Sequence, residues 1–361
     1  MTKTLNPEMV VLAREYRNWT QEKLAASVLV GQGTIAKIEG GVGGEVQPPV
    51  IDRIAKALDF PVEFFFQNEE RLGFGSSAYF YRKKAKISAA DRKRISGVVN
   101  LTRIHLKKLL SAVDIEAKRP LPSLDIADYH GDAGCAARVI RAIWSLPDGP
   151  IKDMTALIES AGVIVVPCEF GTRAMDATSL RFNDMPPLVF INQEIPGDRW
   201  RFTLAHELAH LVLHDTPTEQ MEDEADAFAA EFLMPDSELR PQFSRIERIR
   251  IQDLANLKPF WKVSMGALLV RANNLGFMNP NSYRYLWMQM AQMGFKTKEP
   301  NPIAKENIQN YPNLFAYFKS LGYSLDDLCK TILAFRNDVE SLHRFAMILP
   351  TATASHLRVV R

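Results

Sequence analysis

One segment, RFTLAHELAHLVLH at 201–214, restricts this chain more than any other. At about 100° of rotation per residue, Thr203, His206, Glu207, His210 and His214 share an arc of roughly 100° on a helical wheel. Leu204, Ala205, Leu208, Ala209, Leu211, Val212 and Leu213 fill the rest. A helix that is apolar over most of its circumference sits inside a core, so its polar stripe must face something polar. Burying those imidazoles and that carboxylate unpaired would cost on the order of several kcal/mol. His206-Glu207-Leu208-Ala209-His210 also stacks two imidazoles one turn apart with a carboxylate beside them. At this spacing two histidines hold zinc and a glutamate serves as general base. The five-residue pattern arises by chance on ordinary core helices too; the confinement of every polar group to one stripe argues against chance here.

A zinc ion that does chemistry usually has three protein ligands and one open position. On a continued helix His214 lies too far up the stripe to share a metal with His206. The following segment, QMEDEADAFAAEFLMP, supplies a better donor. Its periodicity makes Met221, Ala225, Phe228 and Phe232 a buried face with Glu222 at the edge and Asp226 one turn along, while Glu224 and Glu231 turn toward water. Glu222 is therefore the expected third ligand. Ala225 and Ala229 let the two helices approach closely, and Asp226 is placed to accept a hydrogen bond from the free nitrogen of a ligating histidine. With zinc on His206, His210 and Glu222, a water would have its pKa lowered toward about 7 and Glu207 would take its proton. His214 completes the catalytic group as an oxyanion stabiliser, or hydrogen-bonds the spacer instead.

The chain has 361 residues and 47% apolar content, enough for two or three compact domains. No run approaches 18 uncharged apolar residues, and the opening MTKTLNPEMV lacks an apolar secretory segment. A cytoplasmic protein with no membrane partner is expected. Cys135, Cys168 and Cys329 lie far apart, as suits reduced thiols rather than a disulfide framework or a cysteine zinc cage. The net charge of +2 conceals local imbalance. Residues 82–119 carry twelve Lys or Arg against Asp91, Asp114 and Glu116, whereas 216–239 carry eight Asp or Glu and no Lys or Arg. The basic stretch either contacts phosphates or forms the solvated side of a connector helix.

Apolar positions recur at helical spacing in MVVLAREY, QEKLAASV, GTIAKIE and VIDRIAKAL. Leu12 to Glu39 resembles the helix-turn-helix of the Cro and phage-repressor (Xre) family. Thr20-Gln21 opens one helix, Leu24-Ala25 packs it, and Thr34-Ile35-Ala36-Lys37-Ile38-Glu39 looks like the recognition helix. In that family the recognition helix enters the major groove, so the resemblance implies double-stranded DNA as a partner and Gln32, Thr34 and Lys37 as contacts. It also allows a homodimer through this module. Two departures stand out: Leu29 replaces the usual turn glycine, and residues 5–66 carry six basic against eight acidic side chains. A module that docks on another repressor would fit that balance as well.

Farther along, GVIVVP at 162–167, TSLRF at 178–182 and PLVFIN at 187–192 read as strands, Asp198 as the N-cap of the histidine helix, and the C-terminal third as helical. The small sheet would offer an edge for an extended peptide. RFTLAHELAHLVLH, the acidic spacer and EDEADAFAAEFLMP together resemble the ImmA/IrrE metallopeptidases from about Asp125 to Pro235, and WKVSMGALLVRA also looks like theirs. The expected fold is mainly α with a small β-sheet (α+β). It comprises an N-terminal five-helix helix-turn-helix domain at 5–70, a basic helical connector at 71–124, a zincin-like peptidase domain at 125–238 and a helical C-terminal region at 239–361. The resemblance implies a zinc endopeptidase that cuts a helix-turn-helix repressor or antitoxin encoded nearby. The rival reading is a DNA-binding regulator or antitoxin whose peptidase fold senses without cutting.

Overall fold

The computed structural model describes residues 4–42, 46–73, 87–172 and 174–348, with the backbone of 357–359. Residues 82–86 of the basic stretch lie outside these. The chain is mainly helical with a small sheet. Its N-terminal module comprises α1 (Pro7–Tyr16), α2 (Gln21–Ser27), α3 (Gln32–Glu39), α4 (Pro48–Leu58) and a 3-10 turn (Val62–Phe66). Local chemistry starts the first two helices: Asn6 accepts from the Glu8 N–H with Pro7 behind it, and Thr20 accepts from the Lys23 N–H. Leu12, Leu24, Ile35, Leu58 and Phe64 close the core beneath. In the turn between α2 and α3, Leu29 has φ +57° and is exposed. The left-handed residue that the turn requires is thus present without glycine, at a cost of about 1 kcal/mol.

The next helix, α5 (Ala89–Leu110), is buried along much of its length and packs into two cores. Leu101 and Ile104 belong to the N-terminal core, while Ile95, Val99, Leu106 and Leu109 belong to the larger one. Several of its bases are paired within the molecule. Arg103 pairs with Glu69 at 3.2 Å, Lys107 reaches Asp184 at 3.1 Å, and Arg94 donates to the Phe170 carbonyl. Contact with α1 is close at Gly97, where an added Cβ would lie 2.8 Å from the Tyr16 Cα. After it, β1 (Val113–Ile115) pairs antiparallel with β5 (Leu357–Val359).

The body is built from α6 (Ala133–Ile143), α7 (Met154–Ser160), a three-stranded sheet, α8 (Gly197–Leu213) and α9 (Met221–Leu233). In the sheet, β4 (Leu188–Asn192) is central, parallel to β2 (Ile164–Cys168) and antiparallel to β3 (Ala177–Leu180). Phe190 stands opposite Val166 on one side and Thr178 on the other. The strands lie within two residues of their expected positions. Every residue of β2 and β3 is buried, so the sheet edge that the sequence offers to a peptide is covered by the surrounding chain.

Helices α10 (Asp236–Ser244), α11 (Ile251–Trp261), α12 (Met265–Asn274), α13 (Pro280–Gln292), α14 (Asn310–Ser320), α15 (Leu325–Ile332), α16 (Arg336–Leu342) and α17 (Arg344–Ile348) follow. One apolar core runs from Ile87 to Ala346 without a break at 124 or 238. The strap before α14 explains this continuity. Glu306 pairs with the fully buried Arg201 of α8 and accepts from the Thr155 N–H, and Glu159 accepts from the Gln309 and Asn310 N–H groups. Asp198 is not the N-cap of α8; Pro196 is. Asp198 lies in the first turn, where its Oδ2 accepts from the buried Lys258 Nζ at 2.6 Å. No helix among the described residues is long and apolar enough to cross a membrane.

The C-terminal helices also grip the N-terminal module. Arg17 makes two bonds to Asp338, at 2.7 and 2.6 Å, and the Tyr16 hydroxyl donates to the same carboxylate. Beside it His105 Nδ1 lies 2.9 Å from His343 Nε2, and the Tyr311 hydroxyl 2.7 Å from His343 Nδ1. Burial holds His343 down to about 3, and burial with the charges of His343 and Lys108 holds His105 well below 6.5. Both folded-state values are depressed, so the unfolded chain takes up protons first as pH falls below about 6.5, and stability is lost from there downward. Urea denaturation between pH 7 and 5 should show this loss, up to about 1.4 kcal/mol per pH unit per histidine, and His343→Gln should lose roughly half of that slope. A pH-independent midpoint would contradict it.

Candidate metal centre and DNA-reading face

Helix α8 carries His206 and His210 on one stripe, and α9 lays Ala225 and Ala229, both fully buried, against it. The small side chains bring Glu222 over the histidine pair. His206 Nε2 and His210 Nε2 are 3.0 Å apart; the Glu222 carboxylate lies 3.3 Å from the second and 3.7 Å from the first. One donor atom from each of the three falls within 4.8 Å of the others. Two imidazole nitrogens on one tetrahedral zinc would be roughly 3.3 Å apart, so the pair is spaced for such an ion. Burial opposes protonation of His206. The Asp226 hydrogen bond and the charges of Glu207, Asp226 and Glu222 outweigh it and hold its pKa above the usual value. A cluster with that much negative charge around imidazole lone pairs fits a dication.

Asp226 stands where its spacing put it, with Oδ1 2.8 Å from His206 Nδ1. Glu207 is 3% exposed and its Oε2 is buried without a hydrogen-bond partner among the described residues. Leaving a buried acceptor unsatisfied costs about 1–3 kcal/mol, which folding alone does not explain.

Three expectations need correction. His214 does not continue the stripe: α8 stops at Leu213, ahead of Pro217, and His214 leaves the helix at φ −118°. Its ring swings behind His210, with Nδ1 2.9 Å from His210 Nδ1 and Nε2 3.0 Å from Glu224 Oε2. Both nitrogens are engaged there, which removes it from the oxyanion role. Burial, then the neighbouring His210 and His206, push its pKa down to about 4. Glu224 consequently faces His214 rather than water. Glu231 is also inside, paired with Arg271 and, at 3.2 Å, with Arg138. A single-face wheel misjudged both because α9 is packed by α6 and α12 as well as by α8.

A cavity of about 1410 Å³ reaches Asp226 and is lined by Arg199, Phe202, Asp223, Trp287 and Met290 among others, but His206, Glu207, His210 and Glu222 are not part of its wall.

In the N-terminal module Gln32, Thr34 and Lys37 of α3 are all exposed. A chain of hydrogen bonds from the interior supports the first of them. Arg14 pairs with Glu39 at 2.5 Å, Glu39 accepts from Gln21 Nε2 at 2.7 Å, and Gln21 Oε1 accepts from Gln32 Nε2 at 2.8 Å. Glu39 and Glu15, the latter bonded to Arg71, are thus neutralised internally, and the acidic surplus of the module overstates what DNA would meet. Gln21, in the first turn of α2, is the link that ties Gln32 to the interior, a tie that sequence reasoning did not anticipate.

Fold and site together describe a helix-turn-helix module packed onto a body in which His206, His210 and Glu222 could hold a metal ion. Residues 158–273 match the family model of the IrrE N-terminal-like domain, peptidase family M78, and residues 12–65 match the helix-turn-helix family model. The chain carries an IrrE-like peptidase domain behind an N-terminal helix-turn-helix domain. The peptidase match runs on to Asn273, in α12, and so takes in WKVSMGALLVRA. No curated protein matches the chain in sequence.

Proposed function

We propose that this protein is a cytoplasmic, zinc-dependent endopeptidase. Its substrate is a helix-turn-helix repressor or antitoxin encoded nearby, and its own helix-turn-helix domain binds double-stranded DNA. The observation that carries this reading is the convergence of His206 Nε2, His210 Nε2 and Glu222 beside a buried Glu207 whose Oε2 has no partner.

His206, His210 and Glu222 would hold the ion. When bound, zinc supplies Lewis acidity for a water nucleophile and for the scissile carbonyl. Glu207 Oε2 then accepts the proton of the attacking water and returns it to the leaving amide nitrogen, the double duty of a general base that becomes a general acid. Asp226 orients His206 through Nδ1. Through Gln32, Thr34 and Lys37 the N-terminal module would hold the enzyme at an operator, where a repressor bound beside it is at high effective concentration.

Incubation of the full chain with the helix-turn-helix protein encoded next to it should yield discrete fragments, none after chelation, and fragments again after zinc is restored. A shift of promoter DNA with the repressor left intact would instead establish a regulator that does not cut.

A further inference from the structure

The side chains behind His210 form a line that the stripe on α8 does not anticipate. From the pocket outward they are His210, His214 and Glu224, joined at 2.9 and 3.0 Å. The His210 and His214 side chains are 1% and 2% exposed, so water has no access to this line until Glu224, which is 20% exposed. His206 is served differently, by a direct bond to Asp226, whose side chain is 64% exposed.

Each neutral imidazole has one N–H and one lone pair, and this decides the direction of the line. If His210 Nε2 is to present a lone pair to the pocket, its proton sits on Nδ1 and is donated to His214 Nδ1. His214 must then carry its own proton on Nε2, where it meets the acceptor-only carboxylate of Glu224. Every donor finds an acceptor. The opposite direction puts an N–H on His210 Nε2, pointing at Glu222 and His206, and sets the lone pair of His214 Nε2 against a carboxylate 3.0 Å away. Glu224 therefore selects the tautomer in which His210 can act as a ligand.

We propose that His214 and Glu224 are positioning residues for the metal centre: through a one-way chain of hydrogen bonds they hold His210 in its ligating tautomer and ring orientation. This rests on the metal-site reading above. Because the line is buried, water does not substitute for a missing member. At Asp226 it does, so the two histidines differ in how far they depend on their partners.

The test is zinc affinity of the full chain, measured by competition with a chromophoric chelator, with far-ultraviolet circular dichroism reporting the fold. His214→Phe should weaken zinc binding by about 10- to 100-fold, and Glu224→Leu should do so to a similar degree. His214→Gln, whose amide can both accept and donate, should recover most of the loss, and Asp226→Ala should cost less than His214→Phe. Nitrogen-15 spectra of the zinc-loaded wild type should show His210 protonated on Nδ1 and His214 on Nε2, a readout that needs no variant to fold. Wild-type affinity in a folded His214→Phe protein, or a His214 protonated on Nδ1, would overturn the positioning role and leave the metal site standing. A wild-type chain that binds no zinc would overturn both.

Discussion

Glu207→Gln should reduce cleavage of the substrate by about 10²- to 10⁴-fold, the usual contribution of a positioned general base, with the protein still folded and still binding zinc. The amide is nearly isosteric with the carboxylate and keeps an acceptor oxygen, but it cannot take up a proton at neutral pH. Glu207 lies one residue from His206 and its Oε2 has no bond to another side chain to lose, so neither stability nor the ligand set should suffer. Removing an unsatisfied buried carboxylate should even stabilise the fold slightly. Time courses of fragment formation at matched zinc content check this directly. Cleavage at the wild-type rate would take Glu207 out of the reaction.

Gly97→Ala should loosen the N-terminal module from the body. A Cβ at this position lies 2.8 Å from the Tyr16 Cα and 3.1 Å from its N and Cβ. These are mostly backbone atoms at the end of α1, and no rotamer change relieves the clash. The helices α1 and α5 must separate, at a cost of about 1–3 kcal/mol for overpacking of this kind. The Tyr16 and Arg17 bonds to Asp338 sit at the same end of α1, so they would be strained with it. Denaturant unfolding should show the loss, and limited proteolysis should cut sooner between the module and the body. The isolated centre at His206 and His210 should keep its zinc affinity. An unchanged midpoint would mean that the two parts are not packed as tightly as Gly97 allows.

The parts of the site legible from sequence were those that one helical period decides. His206, Glu207 and His210 follow from the stripe on α8, and Glu222 and Asp226 from a buried face that α9 does present. The helix-turn-helix was equally open to reading, although Leu29, a departure from the usual turn glycine, shows its left-handed backbone only in the structure. Legibility failed wherever an element is packed on more than one side or ends early. Glu224 and Glu231 read as solvated on a single-face wheel, but α9 is enclosed from several directions and both find partners inside. His214 was misjudged because the wheel assumes that α8 continues. The basic residues of α5 read as a surface for phosphates or as the solvated side of a connector, whereas Arg103 and Lys107 answer Glu69 and Asp184, partners distant in sequence. The C-terminal third held no catalytic constellation, and its role as a clamp shows only in long-range bonds such as Arg17 to Asp338 and Arg201 to Glu306.

All of the chemistry hangs on whether His206, His210 and Glu222 together grip a metal ion. Crystals grown with zinc and measured on both sides of its absorption edge decide the matter. One anomalous peak per chain is expected, bonded to His206 Nε2, His210 Nε2 and a Glu222 oxygen with a fourth position open. No peak at that place, with the two imidazoles bonded only to protein groups, would contradict it.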